Sequence, residues 1–161
     1  MESTINTTIL TVAEKLIASN QVLAVAESCT GGWLAKVCTD LPGSSGWFDR
    51  GFVTYSNAAK QEMLGVPKSV IAEFGAVSEQ TVEAMVRGVL SNSHAHWGIS
   101  ISGVAGPEGG SEINPVGSVW FGWMKKGQNP TAIKKHFLGD RDSVRNQSVD
   151  FALEELLKLL I

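Results

Sequence analysis

Hydroxyl and thiol side chains cluster in one short segment of the chain, residues 26–37, which reads AESCTGGWLAKV. An apolar run precedes this segment and a helix-like stretch follows it. The polar side chains belong to Ser28, Cys29 and Thr30, and the next two residues are Gly31 and Gly32. A serine or threonine here can cap the helix, and glycines beside a helix N-terminus suit a phosphate or a developing oxyanion. Three interpretations of Ser28 therefore stay open, namely helix cap, phosphate ligand and nucleophile.

A nucleophilic serine needs a base, which is most often a histidine. We expect the histidines to lie at the surface or at strand edges, and this argues against a Ser-His-Asp triad. They are His94, His96 and His136. A desolvated, neutral lysine is the alternative base. Tyr55 and Lys60 flank a second predicted strand-to-helix junction, so Lys60 is the candidate base. A surface lysine on a short helix is the competing interpretation.

The thiols are weaker candidates for chemistry. Cys29 is a rival nucleophile because a helix N-terminus lowers a thiol pKa, but adjacent side chains point in different directions. Cys38 falls on the apolar face of the predicted helix, which indicates a core position. Two cysteines nine residues apart indicate neither a disulfide framework nor a zinc site. We therefore expect no metal and no cofactor.

Two further segments are candidates for binding an anion. The loop that contains Gly103 and Gly106 lacks the G-x-G opening of a dinucleotide fingerprint, but consecutive small residues can form a nest of backbone N–H groups. Arg141 and Arg145 are four residues apart, on one helical face. Arginine binds phosphate bidentately, while surface salt bridges with Asp140 or Asp142 are the alternative.

Hydrophobic periodicity and turn residues predict the elements that position these side chains. Helices are predicted over 7–19, 30–39, 58–64, Pro67 to Gly75, 79–92 and 141–160. Strands are predicted over 21–26, 51–56, 96–103, 116–124 and 131–138. Helices and strands alternate early and a hairpin follows, which predicts a single-domain α/β sandwich over residues 1–161, with a mixed β-sheet flanked by helices.

Composition narrows the classes of partner. The net charge is −3, with charged residues at 18% and no basic stripe, so we expect no nucleic-acid partner. No apolar stretch approaches the length of a membrane span, and no export signal is present, which indicates a cytoplasmic protein without a membrane partner. Five tryptophans offer possible interface anchors, and we expect a homodimer.

The same candidate segments, taken together, carry a family resemblance. They read AESCTGG at 26–32, YSNAAK at 55–60, SGVAGPEGG at 102–110 and GDRDSVR at 139–145. In this order they resemble the CinA C-terminal-domain family, over about residues 8 to 157. The resemblance implies an amidohydrolase that converts nicotinamide mononucleotide to nicotinate mononucleotide and ammonia, in the recycling of pyridine nucleotides.

The resemblance also implies roles for the candidate residues. Ser28 maps to the nucleophile, and Tyr55 and Lys60 map to the residues that activate it. Backbone N–H groups of 30–32 or 102–106 are candidates for the oxyanion site. The candidates for the substrate phosphate are Arg141, Arg145 and the glycines of 103–110. Two other classes stay open: a non-catalytic nucleotide-binding module linked to competence, and a metal-dependent nucleotide pyrophosphatase.

Overall fold

The structure, a computed structural model, describes residues 2–160 and the side chains of residues 6–160. The strands are β1 (Leu23–Glu27), β2 (Phe48–Val53), β3 (Trp97–Gly103), β4 (Ser118–Lys125) and β5 (Thr131–His136). The helices are α1 (Glu2–Ala18), α2 (Trp33–Thr39), α3 (Asn57–Leu64), α4 (Lys68–Phe74), α5 (Glu79–Ser91) and α6 (Arg141–Leu159). The strand order is β2-β1-β3-β4-β5. Strands β1, β2 and β3 are parallel, and β4 and β5 are antiparallel additions, so the predicted mixed sheet is confirmed.

Alternate residues of β1 face two different layers of helices. Leu23 and Val25 pack in one core with side chains from α1, α2 and α6. Ala24 and Ala26 face the opposite layer, which α3, α4 and α5 form. All five residues of the strand are buried, as expected for a central strand covered on both faces.

Small residues on the second face of the sheet let α5 lie close to it. The Ser100 hydroxyl donates to the Val82 carbonyl of α5 at 2.7 Å. A Cβ on Gly98 would lie only 3.0 Å from a Val86 methyl group. The apolar stripe of α5 is buried along its length, and the N-cap of this helix, Ser78, accepts from an α5 backbone N–H.

Several element boundaries differ from the sequence prediction, and two of them, beside the candidate site, have a clear physical reason. The second helix begins at Trp33 instead of residue 30, because Gly31 and Gly32 have φ values of 60° and 104°, outside the helical region. Strand β2 ends at Val53 instead of residue 56, since Ser56 caps α3 and residues 54–56 form the connection.

The connections bring the carboxyl ends of three strands to one edge of the sheet. Glu27 is in register with Val53 of β2 on one side and with Ile101 of β3 on the other. The chain passes from β1 to β2 through α2 on one face, and from β2 to β3 through α3, α4 and α5 on the other. A crevice at such a switch point is the usual ligand site of open α/β sheets.

The tryptophan side chains lie mainly in the interior or pack against it. Trp47 and Trp123 are buried in the core, whereas Trp33 and Trp120 are partly buried against it. The homodimer stays a prediction. Within residues 2–160, no helix combines the length and the apolar character needed to cross a bilayer.

The contact between α3 and α5 gives a stability prediction. A Cβ on Gly88 would overlap the Leu64 carbonyl oxygen and lie 2.8 Å from the Leu64 Cβ. We expect Gly88→Ala to lower the free energy of unfolding by about 1–3 kcal/mol in urea titrations, because the helices must move apart. Gly46→Ala is the matched control, since its Cβ would meet nothing within 4 Å. Equal stability of the two variants would contradict this tight helix contact.

Candidate active site

Ser28 stands directly after β1, at the edge where the parallel strands end. Its backbone N–H donates to the Ile101 carbonyl of β3 at 3.0 Å, so the residue continues the sheet ladder by one position. The Gly31 N–H turns back and donates to the Ser28 carbonyl at 3.1 Å. The side chain is 7% exposed, which leaves the hydroxyl accessible from one side only.

Lys60 reaches this serine from the first turn of α3. Its Nζ lies 3.0 Å from the Ser28 Oγ, 2.8 Å from the Thr54 carbonyl oxygen and 3.3 Å from the Tyr55 carbonyl oxygen. The residue is 1% exposed, although lysine is rarely buried. Ser56 starts the helix by accepting from the Ala59 N–H at 3.0 Å, and this cap fixes where Lys60 enters.

Burial lowers the pKa of Lys60 from 10.5 to about 8. The charged ammonium loses its hydration in this position, and no carboxylate contacts it to compensate among the hydrogen bonds of residues 6–160. A neutral amine has two N–H bonds and one lone pair. Two carbonyl acceptors and one hydroxyl surround the Lys60 nitrogen, so the neutral form can donate to both carbonyls and accept from Ser28.

Neither thiol is poised as a nucleophile. Burial raises the pKa of Cys29 to about 11, so this thiol stays protonated near neutral pH. Burial also raises the pKa of Cys38, which lies in the core on α2 as the sequence indicated.

Glu27 performs the capping for which Ser28 and Thr30 were open candidates in the sequence. One oxygen of its buried carboxylate accepts from the Thr30 hydroxyl at 2.7 Å and from the Leu34 N–H at 2.8 Å, and the other accepts from the Ala35 N–H at 3.0 Å. The hydroxyl of Ser28 is therefore not needed to start α2. Sequence reasoning missed this role, although an acidic residue that ends a buried strand before a helix was a usable signal.

The pocket in front of Ser28 has a volume of about 280 Å³. Gly103 and Gly106 line it on one side, and Arg141 closes it on another. Arg141 Nη1 donates to the Gly106 carbonyl at 2.7 Å, which ties α6 to the glycine-rich loop. Ser102 also lines the pocket. It is 1% exposed and donates to the Ala76 carbonyl at 2.8 Å, whereas the sequence pattern pointed only to the backbone N–H groups of 102–106.

Tyr55 contributes its backbone to the contact with Lys60 and its ring to the rim of the pocket. The side chain is 63% exposed, and the phenol oxygen accepts from Arg141 Nη2 at 3.4 Å. The sequence placed Tyr55 with Lys60 as an activating pair. Among the described side chains, the phenol is hydrogen-bonded to Arg141 and not to Ser28 or Lys60.

Four of the predicted binding residues lie behind the serine instead of lining the pocket. They are Thr30, Gly31, Gly32 and Arg145. Thr30 is buried, and its hydroxyl is bound to Glu27. Arg145 donates from Nε to the Cys29 carbonyl at 3.0 Å and from Nη2 to the Thr30 carbonyl at 3.3 Å.

The histidines lie away from the pocket. His94 and His136 are exposed, and His96 accepts from the Val22 N–H at 3.0 Å at the start of β3. Ser28 thus has a lysine and no histidine within reach. Within residues 2–160, no cluster of three or more histidine, cysteine, aspartate or glutamate side chains is arranged to hold a metal ion.

The sequence of the whole sheet and site matches a known family. Residues 5–160 match the family model described as the CinA C-terminal domain. The chain belongs to this family. The resemblance seen in the four sequence segments is thereby confirmed, and it extends beyond them to almost the full chain.

Curated relatives in this family carry an enzyme name. The chain is 54% identical over 136 residues to nicotinamide-nucleotide amidohydrolase PncC of Enterobacter agglomerans, covering 84% of this chain and 83% of that protein. It is 50% identical over 145 residues to PncC of Escherichia coli K12, covering 90% and 88% of the two chains.

A solved structure in the same family shares the fold. The crystal structure of competence damage-inducible protein A (ComA) from Klebsiella pneumoniae subsp. pneumoniae MGH 78578 matches with a TM-score of 0.94 at 38% identity. The match covers 97% of this chain and 96% of that one.

The capping role of Glu27 gives a prediction for the family motif ESCTGG. In Glu27→Gln, one side-chain oxygen becomes an NH₂ group, which cannot accept from the helix N–H groups. We expect the free energy of unfolding to fall by about 1–3 kcal/mol in chemical denaturation, because buried donors lose an acceptor. Glu14→Gln, at an exposed site on α1, is the control and should change it by less than about 0.5 kcal/mol. A Glu27→Gln variant as stable as the control would refute the capping role.

Proposed function

We propose that this protein hydrolyses the carboxamide of nicotinamide mononucleotide, releasing nicotinate mononucleotide and ammonia and so returning the pyridine ring to nucleotide recycling. The observation that carries the proposal is the 3.0 Å contact between Ser28 Oγ and the buried Lys60 Nζ, which faces a pocket. The amidohydrolase name of relatives at 50% identity and above supports the choice of substrate.

The first half of the reaction forms an ester on Ser28. Neutral Lys60 takes the hydroxyl proton as Oγ attacks the carboxamide carbon, giving a tetrahedral oxyanion and an ammonium on Lys60. The ammonium then gives its proton to the amide nitrogen, the C–N bond breaks, and ammonia leaves. The nicotinoyl group remains as an ester on Ser28, and Lys60 is neutral again.

The second half returns the enzyme to its starting state. A water molecule enters the position that ammonia vacated, and Lys60 removes one of its protons as the water oxygen attacks the ester carbon. The C–Oγ bond breaks, Ser28 recovers its proton from Lys60, and nicotinate mononucleotide leaves. The same lysine thus serves as base and acid in both halves, which the histidine does in a Ser-His-Asp triad.

Backbone N–H groups close to Ser28 supply the oxyanion site. Gly31 and Val104 are excluded as donors, because their N–H groups donate to the carbonyls of Ser28 and Ser118. We assign the site to the Cys29 N–H, which follows the nucleophile directly, and to the loop N–H groups of 105–106. Donors of this kind contribute about 3 kcal/mol each to transition-state stabilisation.

Two residues at the rim of the pocket are suited to bind the 5′-phosphate and the pyridinium ring of the mononucleotide. Arg141 lines the pocket and is exposed, so it can bind the 5′-phosphate. The exposed Tyr55 ring offers a face to the cationic pyridinium, an attraction of about 0.5–1 kcal/mol at exposed sites. In this assignment Tyr55 positions the ring, and the proton passes directly between Ser28 and Lys60.

Removal of either reacting side chain should abolish turnover while the fold persists. We expect Ser28→Ala and Lys60→Gln to reduce ammonia release from nicotinamide mononucleotide by about a thousandfold or more. Lys68→Gln, at an exposed lysine on α4, is the control and should retain the wild-type rate.

EDTA in the same assay separates the alternative functions. It should leave the rate unchanged for a serine amidase, whereas a metal-dependent pyrophosphatase would lose its activity. A non-catalytic nucleotide-binding module would release no ammonia. Substantial turnover by Ser28→Ala would refute the proposed nucleophile.

The lowered pKa of Lys60 sets the expected pH profile. Only the neutral amine can act as base, and with a pKa of about 8 roughly one-tenth of the enzyme carries it at pH 7. We expect kcat/KM to rise about tenfold per pH unit below pH 8 and to level off above it. A profile that is flat from pH 6 to 9, or that falls with rising pH, would contradict a neutral lysine base.

A further inference from the structure

Arg145 reaches the segment that follows Ser28 from behind, on the second turn of α6. Its two donors bind the carbonyls of Cys29 and Thr30, as described above. Its guanidinium carbon also lies 5.7 Å from the centroid of the Trp33 ring, at the start of α2. The half-buried side chain therefore makes all its described contacts with residues 29–33.

The glycine at position 31 reflects this close approach. A Cβ there would lie 3.1 Å from Arg145 Nη2, and the backbone has a φ of 60°. The sequence pattern suggested that the glycines make room for a ligand. In the structure, the group that approaches Gly31 is a side chain of the protein itself.

A chain of planar peptide groups connects Arg145 to the proposed oxyanion site. The Thr30 carbonyl and the Gly31 N–H belong to one peptide group, so the hydrogen bond from Arg145 also orients that N–H. The Gly31 N–H donates to the Ser28 carbonyl at 3.1 Å. The Ser28 carbonyl shares its peptide group with the Cys29 N–H, which is the proposed oxyanion donor. The orientation of that donor thus depends, through two peptide groups, on the guanidinium.

The same contacts make Arg145 unsuited to hold the substrate phosphate. Arg145 Nε and Nη2 are directed at the carbonyls that follow Ser28. Arg141 Nη1 is also bound to a backbone carbonyl, that of Gly106, so the two arginines differ in their position relative to the pocket. Arg141, one helical turn earlier, lines the pocket, whereas Arg145 does not. The two arginines of the GDRDSVR segment therefore have different positions, with Arg141 at the pocket and Arg145 behind the Ser28 turn.

We propose that Arg145 is a positioning residue, which holds the peptide groups after Ser28 so that the Cys29 N–H points at the developing oxyanion. This inference rests on the proposed function, since it assigns a supporting role in the same reaction. It predicts a loss of turnover that does not depend on the phosphate of the substrate.

The test compares two arginines and two substrates. The variants are Arg145→Gln, Arg145→Lys, Arg141→Gln and, as a control on exposed α5 surface, Arg87→Gln. Each is assayed for ammonia release from nicotinamide mononucleotide and from nicotinamide riboside, which carries the same amide and no phosphate. Thermal unfolding shows whether each variant is folded at the assay temperature. Arg145→Lys, which keeps the charge and the aliphatic stem, provides a second variant if Arg145→Gln is unfolded there.

We expect Arg145→Gln to lower kcat by about 10- to 100-fold on both substrates, with KM changed by less than about twofold. Arg145→Lys should lose less, because one donor and the charge remain. Arg141→Gln should raise KM for the mononucleotide much more than for the riboside, and Arg87→Gln should match wild type. Unchanged kcat in both Arg145 variants would overturn the proposal. A loss confined to the mononucleotide would overturn it too, since it would show that Arg145 binds phosphate.

A second measurement tests the role of Arg145 without using any nucleotide substrate. A small fluorophosphonate labels an activated serine and places its phosphoryl oxygen in the oxyanion site, without any nucleotide. Slower labelling of Ser28 in both folded Arg145 variants than in Arg87→Gln supports the positioning role, even if wild type hydrolyses neither substrate. Equal labelling rates would overturn it. Failure of wild type on both substrates, with Ser28 still labelled, would refute the proposed function alone.

Discussion

The burial of the Lys60 amine constrains every other part of the site. The Lys60 Nζ contacts two carbonyl oxygens and one hydroxyl and is shielded from water. Because burial penalises the charged ammonium, the pKa of Lys60 falls to about 8. The neutral amine can satisfy both carbonyls and still present its lone pair to Ser28. Placing a lysine at this point requires that β1 and β2 end side by side and that α3 begin shortly after β2.

The parallel strands meet this requirement, and two charged side chains hold the turn after β1. Glu27 binds the N-terminal N–H groups of α2 from inside the core, and Arg145 binds the carbonyls of Cys29 and Thr30 from α6. One group accepts from the turn and the other donates to it. Because Glu27 caps α2, the Ser28 hydroxyl is not used as a cap and lies 3.0 Å from Lys60 Nζ.

Sequence patterns predicted the elements well but not all of the contacts that the candidate residues make. The apolar stripe of α5 and the Ser78 cap follow from local periodicity and hydrogen bonding, so they were visible in the sequence. The meeting of Ser28 with Lys60 follows from adjacent strand ends, which the topology of an α/β sheet favours. The contacts of Arg145 join segments more than a hundred residues apart, so the spacing from Arg141 did not reveal them. The contacts of Glu27 lie within eight residues of it, and a capping pattern that considers only hydroxyl side chains overlooks them. The start of α2 was placed too early because two left-handed glycines interrupt an otherwise helical pattern.

The central claim is that Ser28, activated by a neutral lysine, carries the acyl group. Acid quenching of the enzyme during turnover of nicotinamide mononucleotide, followed by mass spectrometry of its peptides, tests this claim most directly. We expect a transient adduct on Ser28 with the mass of the substrate less ammonia, absent from Ser28→Ala and undetectable in Lys60→Gln. An adduct on Cys29, or full turnover by Ser28→Ala, would contradict it.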